Sequence, residues 1–298
     1  MSPAPPSTLG IWLSAARPRT LGAAFAPVFV GAAIAHADGV LDGLVVAACL
    51  AGAIAIQIGT NFANDYFDFL KGADTEDRVG PTRATAAGWV TPGQMRLATI
   101  LAFAALVPPA AYLVYVAGWP LLVIGILSVV CGIAYTGGPK PLAYVGLGDV
   151  FVLVFFGPVA VAGTYFAQAL SVTPVALVAG LMPGLIATAL LAVNNLRDVD
   201  TDIVAGKRTL AVRFGPAFAR WEIALCLVVP ILVIPPVLVG LSGGHYGALV
   251  SMLAFIPAVS VLRRTWTVQG AALIPVLEDI GKTLVIHSVL FGLGWGLS

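Results

Sequence analysis

The chain has 298 residues, of which 59% are hydrophobic and only 10% charged. Soluble globular chains carry about 25% charged residues, so the composition excludes a water-soluble protein and points to an integral membrane protein. A formal net charge of +1 and the lack of a basic stripe leave no case for a nucleic-acid partner.

Arg17 and Arg19 precede an apolar run that ends near Ala33-Ile34-Ala35-His36-Ala37, which loosely imitates a cleavable signal peptide. The run is about 17 residues long, longer than a usual signal core, and further spans follow. It therefore reads as the first transmembrane helix. In all, nine apolar segments reach membrane-spanning length, centred near Pro27, Ala53, Leu106, Leu127, Gly157, Ile186, Val229, Phe255 and Leu290. Each span must satisfy its own backbone hydrogen bonds in lipid, so helices are expected throughout. The fold class predicted is all-α: one polytopic transmembrane domain over 1–298, with 1–16 as a flexible tail. Cys49, Cys131 and Cys226 fall inside apolar segments without metal-ligand spacing and read as packing residues.

The basic residues orient the chain. With the N-terminus inside, the connections 37–43, 117–120, 168–174 and 240–247 face out, and none contains Lys or Arg. All 15 basic residues fall in the N-terminal tail or the inside-facing connections, as the positive-inside rule requires. One span more or fewer would destroy this pattern. A C-terminus outside follows.

Two clusters of Asn and Asp stand at the ends of the second and sixth spans: Asn61-Phe62-Ala63-Asn64-Asp65-Tyr66-Phe67-Asp68, and Asn194-Asn195-Leu196-Arg197-Asp198-Val199-Asp200-Thr201-Asp202. Carboxylates beside hydrocarbon are expensive to hold there. The host spans are an even number apart and point the same way, so both clusters belong to the cytoplasmic side. Their likeness hints at a parallel pseudo-repeat of four helices plus a ninth. If the sixth span continues as helix through its cluster, Asn194, Asp198 and Asp202 lie along one face. Asp74, Glu76 and Asp77 follow the first cluster.

Hard oxygen donors at an aqueous edge suit Mg2+, which binds one or two carboxylates plus substrate phosphate. The basic residues Lys71, Arg78, Arg83, Lys140, Arg197, Lys207 and Arg208 share these connections and can hold the remaining phosphate oxygens. Beneath lies an apolar bundle. The ligand expected is a diphosphate on a long apolar tail.

At these residues the chain resembles the UbiA-type intramembrane prenyltransferases, whose two Asn-x3-Asp-x3-Asp motifs hold Mg2+-diphosphate at the cytoplasmic mouth of a nine-helix bundle. Asn194, Asp198 and Asp202 fit the second motif. Asn64 and Asp68 fit two places of the first, but the third is Gly72, and Asp74 stands two residues later. Ala16-Arg17-Pro18-Arg19-Thr20-Leu21, Asp77-Arg78-Val79-Gly80-Pro81-x-Arg83, Tyr135-Thr136-Gly137-Gly138-Pro139-Lys140-Pro141 and Gly206-Lys207-Arg208-Thr209-Leu210 are similar to the menaquinone branch of that family.

The resemblance implies transfer of a polyprenyl group from polyprenyl diphosphate to 1,4-dihydroxy-2-naphthoate in a bacterial cytoplasmic membrane, with loss of carbon dioxide and diphosphate, giving a demethylmenaquinone. It implies metal ligation by Asn64, Asp68, Asp74, Asn194, Asp198 and Asp202. The catalytic candidates are Asp65, Asp68, Asp198 and Asp202. The acceptor-binding candidates are Lys140, Tyr135 and Asp149, with Lys140 or Arg83 for its carboxylate. Competing readings are a prenyltransferase for another aromatic or lipid acceptor, and a cation-coupled transporter. The latter typically binds ions near the bilayer midplane in inverted repeats.

Overall fold

Polar caps convert apolar runs into defined helices. The computed structural model describes residues 7–73, 80 and 82–298; among these every regular element is helical. Asp42 Oδ1 accepts from the N–H groups of Leu44 and Val45 and starts α3 (Gly43–Leu70). Thr91 and Gln94 form a reciprocal capping box at the head of α4 (Pro92–Ala104). Thr173, followed by Pro174, starts α9 (Pro174–Arg197).

The chain begins with α1 (Thr8–Ala16) and α2 (Leu21–Ala37), which meet at a 53° bend. Thr8–Ala16, expected to belong to a flexible tail, is instead a packed helix: Ile11 and Ala15 are buried, and Trp12 sits edge-on to Phe62 of α3. After α4 come α5 (Val107–Ala117), α6 (Trp119–Ala134), α7 (Gly148–Val154) and α8 (Ala160–Ala169). Beyond α9 follow the short α10 (Val199–Val204), α11 (Leu210–Val228), α12 (Ile234–Ser242), α13 (Phe255–Thr267) and α14 (Ile274–Gly296).

Six helical stretches are long and apolar enough to cross a membrane: Gly43–Leu70, Pro92–Ala117, Gly148–Ala169, Pro174–Arg197, Leu210–Ser242 and Tyr246–Thr267. The bent pair α1–α2 makes a seventh. The protein is thus a multi-pass membrane protein. Two of these spans are interrupted by π-helical turns, Phe155–Val159 at Pro158 and Val229–Val233 at Pro230. Proline removes an i→i−4 hydrogen bond, which causes such breaks.

The most buried of the spans is α9, which packs against α2, α7, α11, α12 and α14. Small residues permit this density. Gly180 and Gly184 of α9 face Gly157, and a Cβ at Gly180 would lie 2.6 Å from Pro158 Cα. A helix crossing at Gly247 and Gly294 is tighter still: a Cβ on either would clash with the other's carbonyl oxygen.

Candidate active site

Both Asn/Asp clusters come to one rim of the bundle, and the connection between α6 and α7 joins them. The first cluster lies on the last turns of α3, with Asn61, Asn64, Asp65 and Asp68 all buried. Asp68 is held from two sides. Arg83 Nη2 donates to Oδ2 at 3.0 Å, and Tyr144 Oη donates to Oδ1 at 3.0 Å. Asp65 accepts the backbone N–H groups of Ala84 (3.0 Å) and Thr85 (3.1 Å), so its carboxylate folds the loop that carries Arg83. Asn64 Oδ1 accepts from Thr136 Oγ1 at 2.9 Å. Lys71 donates to the carbonyls of Thr136 and Gly138. Partial burial lowers the pKa of Lys71, and the charge of Asp68 opposes that shift.

The α-helix carrying the second cluster stops at Arg197. Asp198 leaves helical geometry (φ −100°, ψ 12°) and α10 follows. A continuous α-helix through the cluster is therefore corrected to a helix with a hinge. Even so, Asp198 N–H bonds Asn194 O (3.0 Å) and Asp202 N–H bonds Asp198 O (2.7 Å), so one i→i−4 bond is kept on each side of the hinge. Arg197 forks onto Asp198 with Nε at 2.7 Å and Nη2 at 2.6 Å. Lys207 pairs with Asp202 at 3.2 Å. Asn194 donates Nδ2 to Leu190 O at 3.1 Å, which leaves its Oδ1 as the oxygen available to a ligand.

Gly72, in place of a third acid in the first motif, has a structural reason. It ends α3 at φ 64°, with Gly72 N–H on Phe69 O and Ala73 N–H on Asp68 O, the two bonds of a Schellman stop. A side chain there would be strained. Asp74 and Arg78 lie outside the described residues, as do Glu76 and Asp77.

A cavity of about 380 Å³ runs inward from the rim. Arg17, Asn61, Asn64, Tyr135 and Asn194 form its polar end. Leu113, Ile124, Phe151, Phe155 and Val159 are among the residues of its apolar length. One asparagine from each motif thus faces one space. The phenol of Tyr135 has its pKa raised by burial first, then by the negative charges of Asp149, Asp68 and Asp202, with Arg17 opposing. It therefore stays neutral among carboxylates drawn from both motifs. Asp149 is buried behind this wall, at the head of α7, with Oδ1 unpartnered among the described residues.

The remaining sequence candidates are distributed differently. Lys140 is exposed on a separate groove with Val130, Ile133 and Gly137. Arg208 is exposed, and its backbone N–H bonds Tyr144 O at 2.9 Å. Two residues to which the sequence assigns no role join the site: Tyr144, which contacts Asp68 of the first motif and Lys207 and Arg208 just after the second, and Arg17, which lines the cavity. Arg17 stood out only as part of a local sequence pattern. Its left-handed backbone (φ 53°) at the α1–α2 bend turns it there. No spacing in the sequence marks Tyr144.

Among the described residues no three His, Cys, Asp or Glu side chains converge as a metal-ligating cluster; Arg83, Arg197 and Lys207 pair with Asp68, Asp198 and Asp202. The donor set nevertheless fits a hard divalent cation shared with phosphate: carboxylates of Asp68, Asp198 and Asp202 beside the amide oxygens of Asn64 and Asn194.

The UbiA prenyltransferase family profile matches residues 24–275. A 1,4-dihydroxy-2-naphthoate octaprenyltransferase from Escherichia coli is 38% identical over 297 residues, covering 96% of this chain and 95% of that protein. One from Haemophilus influenzae is 36% identical over 295 residues, with 96% of each chain covered. The solved structure of a UbiA homolog from Archaeoglobus fulgidus bound to DMAPP and Mg2+ is similar with a TM-score of 0.62 at 14% identity, covering 94% of this chain and 99% of that one. At that identity the structural likeness speaks for the fold.

Proposed function

Because the chain belongs to the UbiA prenyltransferase family, we propose that it transfers a polyprenyl group from polyprenyl diphosphate to 1,4-dihydroxy-2-naphthoate, with loss of carbon dioxide and diphosphate. The product is a demethylmenaquinone. The observation that carries this reading is the single cavity faced by Asn64 of one motif and Asn194 of the other, polar at the rim and apolar beyond.

Asn64, Asp68, Asn194, Asp198 and Asp202 would hold Mg2+, which when bound neutralises the diphosphate and stabilises it as it leaves. Arg83, Arg197, Lys71 and Lys207 stand beside these acids and clamp diphosphate oxygens, which gain charge as the carbon–oxygen bond breaks. The prenyl tail lies along the apolar cavity wall. That wall also excludes water, which would otherwise quench an allylic cation.

Arg17, on the wall of the cavity, holds the acceptor carboxylate in this reading, in preference to Lys140, which lines a separate groove. Tyr135 keeps its proton and hydrogen-bonds a ring hydroxyl. Asp149 stands behind Tyr135 as the buried first-turn acid of α7. Asp65 shapes the Arg83 loop.

In this reading α6, about 24 Å long, and α14, about 35 Å, also cross the bilayer. That makes nine spans with the motif helices α3 and α9 parallel, as in a four-helix pseudo-repeat. The absence of Lys and Arg from 37–43, 117–120, 168–174 and 240–247 supports a cytoplasmic site, with the N-terminus inside and the C-terminus outside.

Mass spectrometry of the product formed by the purified protein from 1,4-dihydroxy-2-naphthoate, a prenyl diphosphate and Mg2+ tests the reaction. A prenylated, decarboxylated naphthoquinone supports it. Prenylation of 4-hydroxybenzoate instead overturns the acceptor, and substrate flux across vesicles without covalent product overturns the chemistry. Arg17→Lys should raise KM for the naphthoate by about tenfold, because a forked carboxylate contact is lost, and leave KM for the prenyl diphosphate unchanged.

A further inference from the structure

Tyr144 sits in the connection between α6 and α7, outside both motifs, yet it contacts the first motif and the residues that follow the second. Its hydroxyl donates to Asp68 Oδ1 at 3.0 Å. Its ring lies under two ammonium groups, Lys71 Nζ at 4.9 Å and Lys207 Nζ at 5.3 Å from the centroid. Lys71 closes the first motif; Lys207 follows the second and pairs with its last acid, Asp202, at 3.2 Å. The Tyr144 carbonyl accepts the N–H of Arg208 at 2.9 Å, which fixes the backbone of one connection against the other. Cations are attracted to the face of an aromatic ring within about 6 Å. Two like charges share this ring, so its quadrupole offsets part of their repulsion and keeps both beside the acids of the two motifs.

We propose that Tyr144 is a positioning residue that joins the two motifs into one site: its hydroxyl orients the Asp68 carboxylate for the metal, and its ring seats Lys71 and Lys207 for the diphosphate. The proposal rests on the prenyl-transfer reading above. It divides one side chain into two separable parts. Phenylalanine removes the hydroxyl and keeps the ring; leucine removes both. Groups that orient a ligating carboxylate typically affect metal affinity by 10–100-fold.

Purified wild type, Tyr144→Phe and Tyr144→Leu are compared by steady-state kinetics. In parallel, the rise in Tm produced by Mg2+ with inorganic diphosphate is measured without acceptor. Tyr144→Phe should raise the Mg2+ concentration for half-maximal rate and for half-maximal thermal protection by about tenfold, with KM for the prenyl diphosphate within about twofold of wild type. Tyr144→Leu should add a several-fold rise in that KM. KM for the naphthoate should move in neither variant. A Tyr144→Phe protein with wild-type Mg2+ dependence overturns the role of the hydroxyl. Phe and Leu variants with the same KM for the diphosphate overturn the role of the ring. If Tyr144→Leu does not fold, Tyr144→Trp replaces it: an unchanged KM with a Mg2+ dependence like that of Phe supports the ring's role, and a KM raised as expected for Leu overturns it. Wild type that makes no prenylated product and gains no thermal protection from Mg2+ and diphosphate sinks the underlying reading, and the proposal with it.

Discussion

The two motifs end in the same backbone device, but one turn apart. After Asp68 the helix stops at Gly72 (φ 64°), with Ala73 N–H on Asp68 O; after Asp202 it stops at Gly206 (φ 70°), with Lys207 N–H on Asp202 O. The second motif has a further acid, Asp198, one turn earlier, where the first has Asn64. What surrounds them differs more. Asp65 and Asp68 are held by residues 15 to 76 positions away: Arg83, the Ala84 and Thr85 amides, and Tyr144. Asp198 and Asp202 pair one and five residues along the chain, with Arg197 and Lys207. The first motif is thus built into the tertiary structure, whereas at the hinge of the second Asp198 is closed by its chain neighbour Arg197. The same chemistry at the two sites should therefore carry different structural costs.

The largest effect expected is on turnover, and there the motifs should be alike. Asp68→Asn and Asp198→Asn should each lower kcat by roughly a hundredfold or more, because each removes a carboxylate offered to the metal. Membrane insertion should be intact in both. Chelation with EDTA should stop the wild type, and added Mg2+ should restore it. Near-normal product formation by either variant, read by mass spectrometry in detergent with Mg2+, would remove that motif from the site.

The next effect separates them. Asp68 and Arg83 have side chains only 3% and 8% exposed. Removing one partner of such a buried pair costs about 3–5 kcal/mol, and here it also frees two connections. Asp198 is 17% exposed and, among the described residues, its carboxylate pairs with its neighbour Arg197, so its loss should cost about 1 kcal/mol. Thermal unfolding in detergent without Mg2+ should place Asp68→Asn clearly below Asp198→Asn. Equal midpoints would erase the distinction between a built-in and a locally closed motif.

The helices were legible in the sequence because apolar runs reach membrane-spanning length; their starts at Asp42, Thr91 and Thr173 are set by polar caps that apolar length does not mark. The motif residues were legible because Asn and Asp beside hydrocarbon need a reason. Partners separated by many residues were not. Arg83 was identifiable as a cation but not as the residue that holds Asp68, and nothing at Tyr144 signals a ring beneath two lysines. The hinge at Asp198 was hidden because its neighbours keep helical spacing on either side. Gly72 read as a missing acid when it is a helix stop, a role that a glycine just past a helical run can announce. The sequence does not mark Thr8–Ala16 as structured, since a nine-residue helix is marginal alone; it holds here by packing on α3.

The smallest effects sharpen the comparison where neither residue is offered to the metal. Asp65 and Asp200 are the spare acids of their clusters. Asp65 is buried and accepts two backbone N–H groups; Asp200 is exposed on α10. An asparagine at 65 keeps one acceptor oxygen but turns an N–H2 toward the second amide, which leaves that donor buried and unsatisfied at about 1–3 kcal/mol. The Arg83 loop then loosens, and turnover falls with the fraction of protein that keeps Arg83 on Asp68. At 200 the same substitution changes a solvated side chain and should stay within about 0.5 kcal/mol, with kcat and KM unchanged. Tm and steady-state rates of the two variants decide this. A strong loss of kcat in Asp200→Asn at unchanged Tm would mean that the second hinge carries a reacting carboxylate beyond Asp198 and Asp202. A silent Asp65→Asn would mean that the Arg83 loop is held by something other than the Asp65 carboxylate.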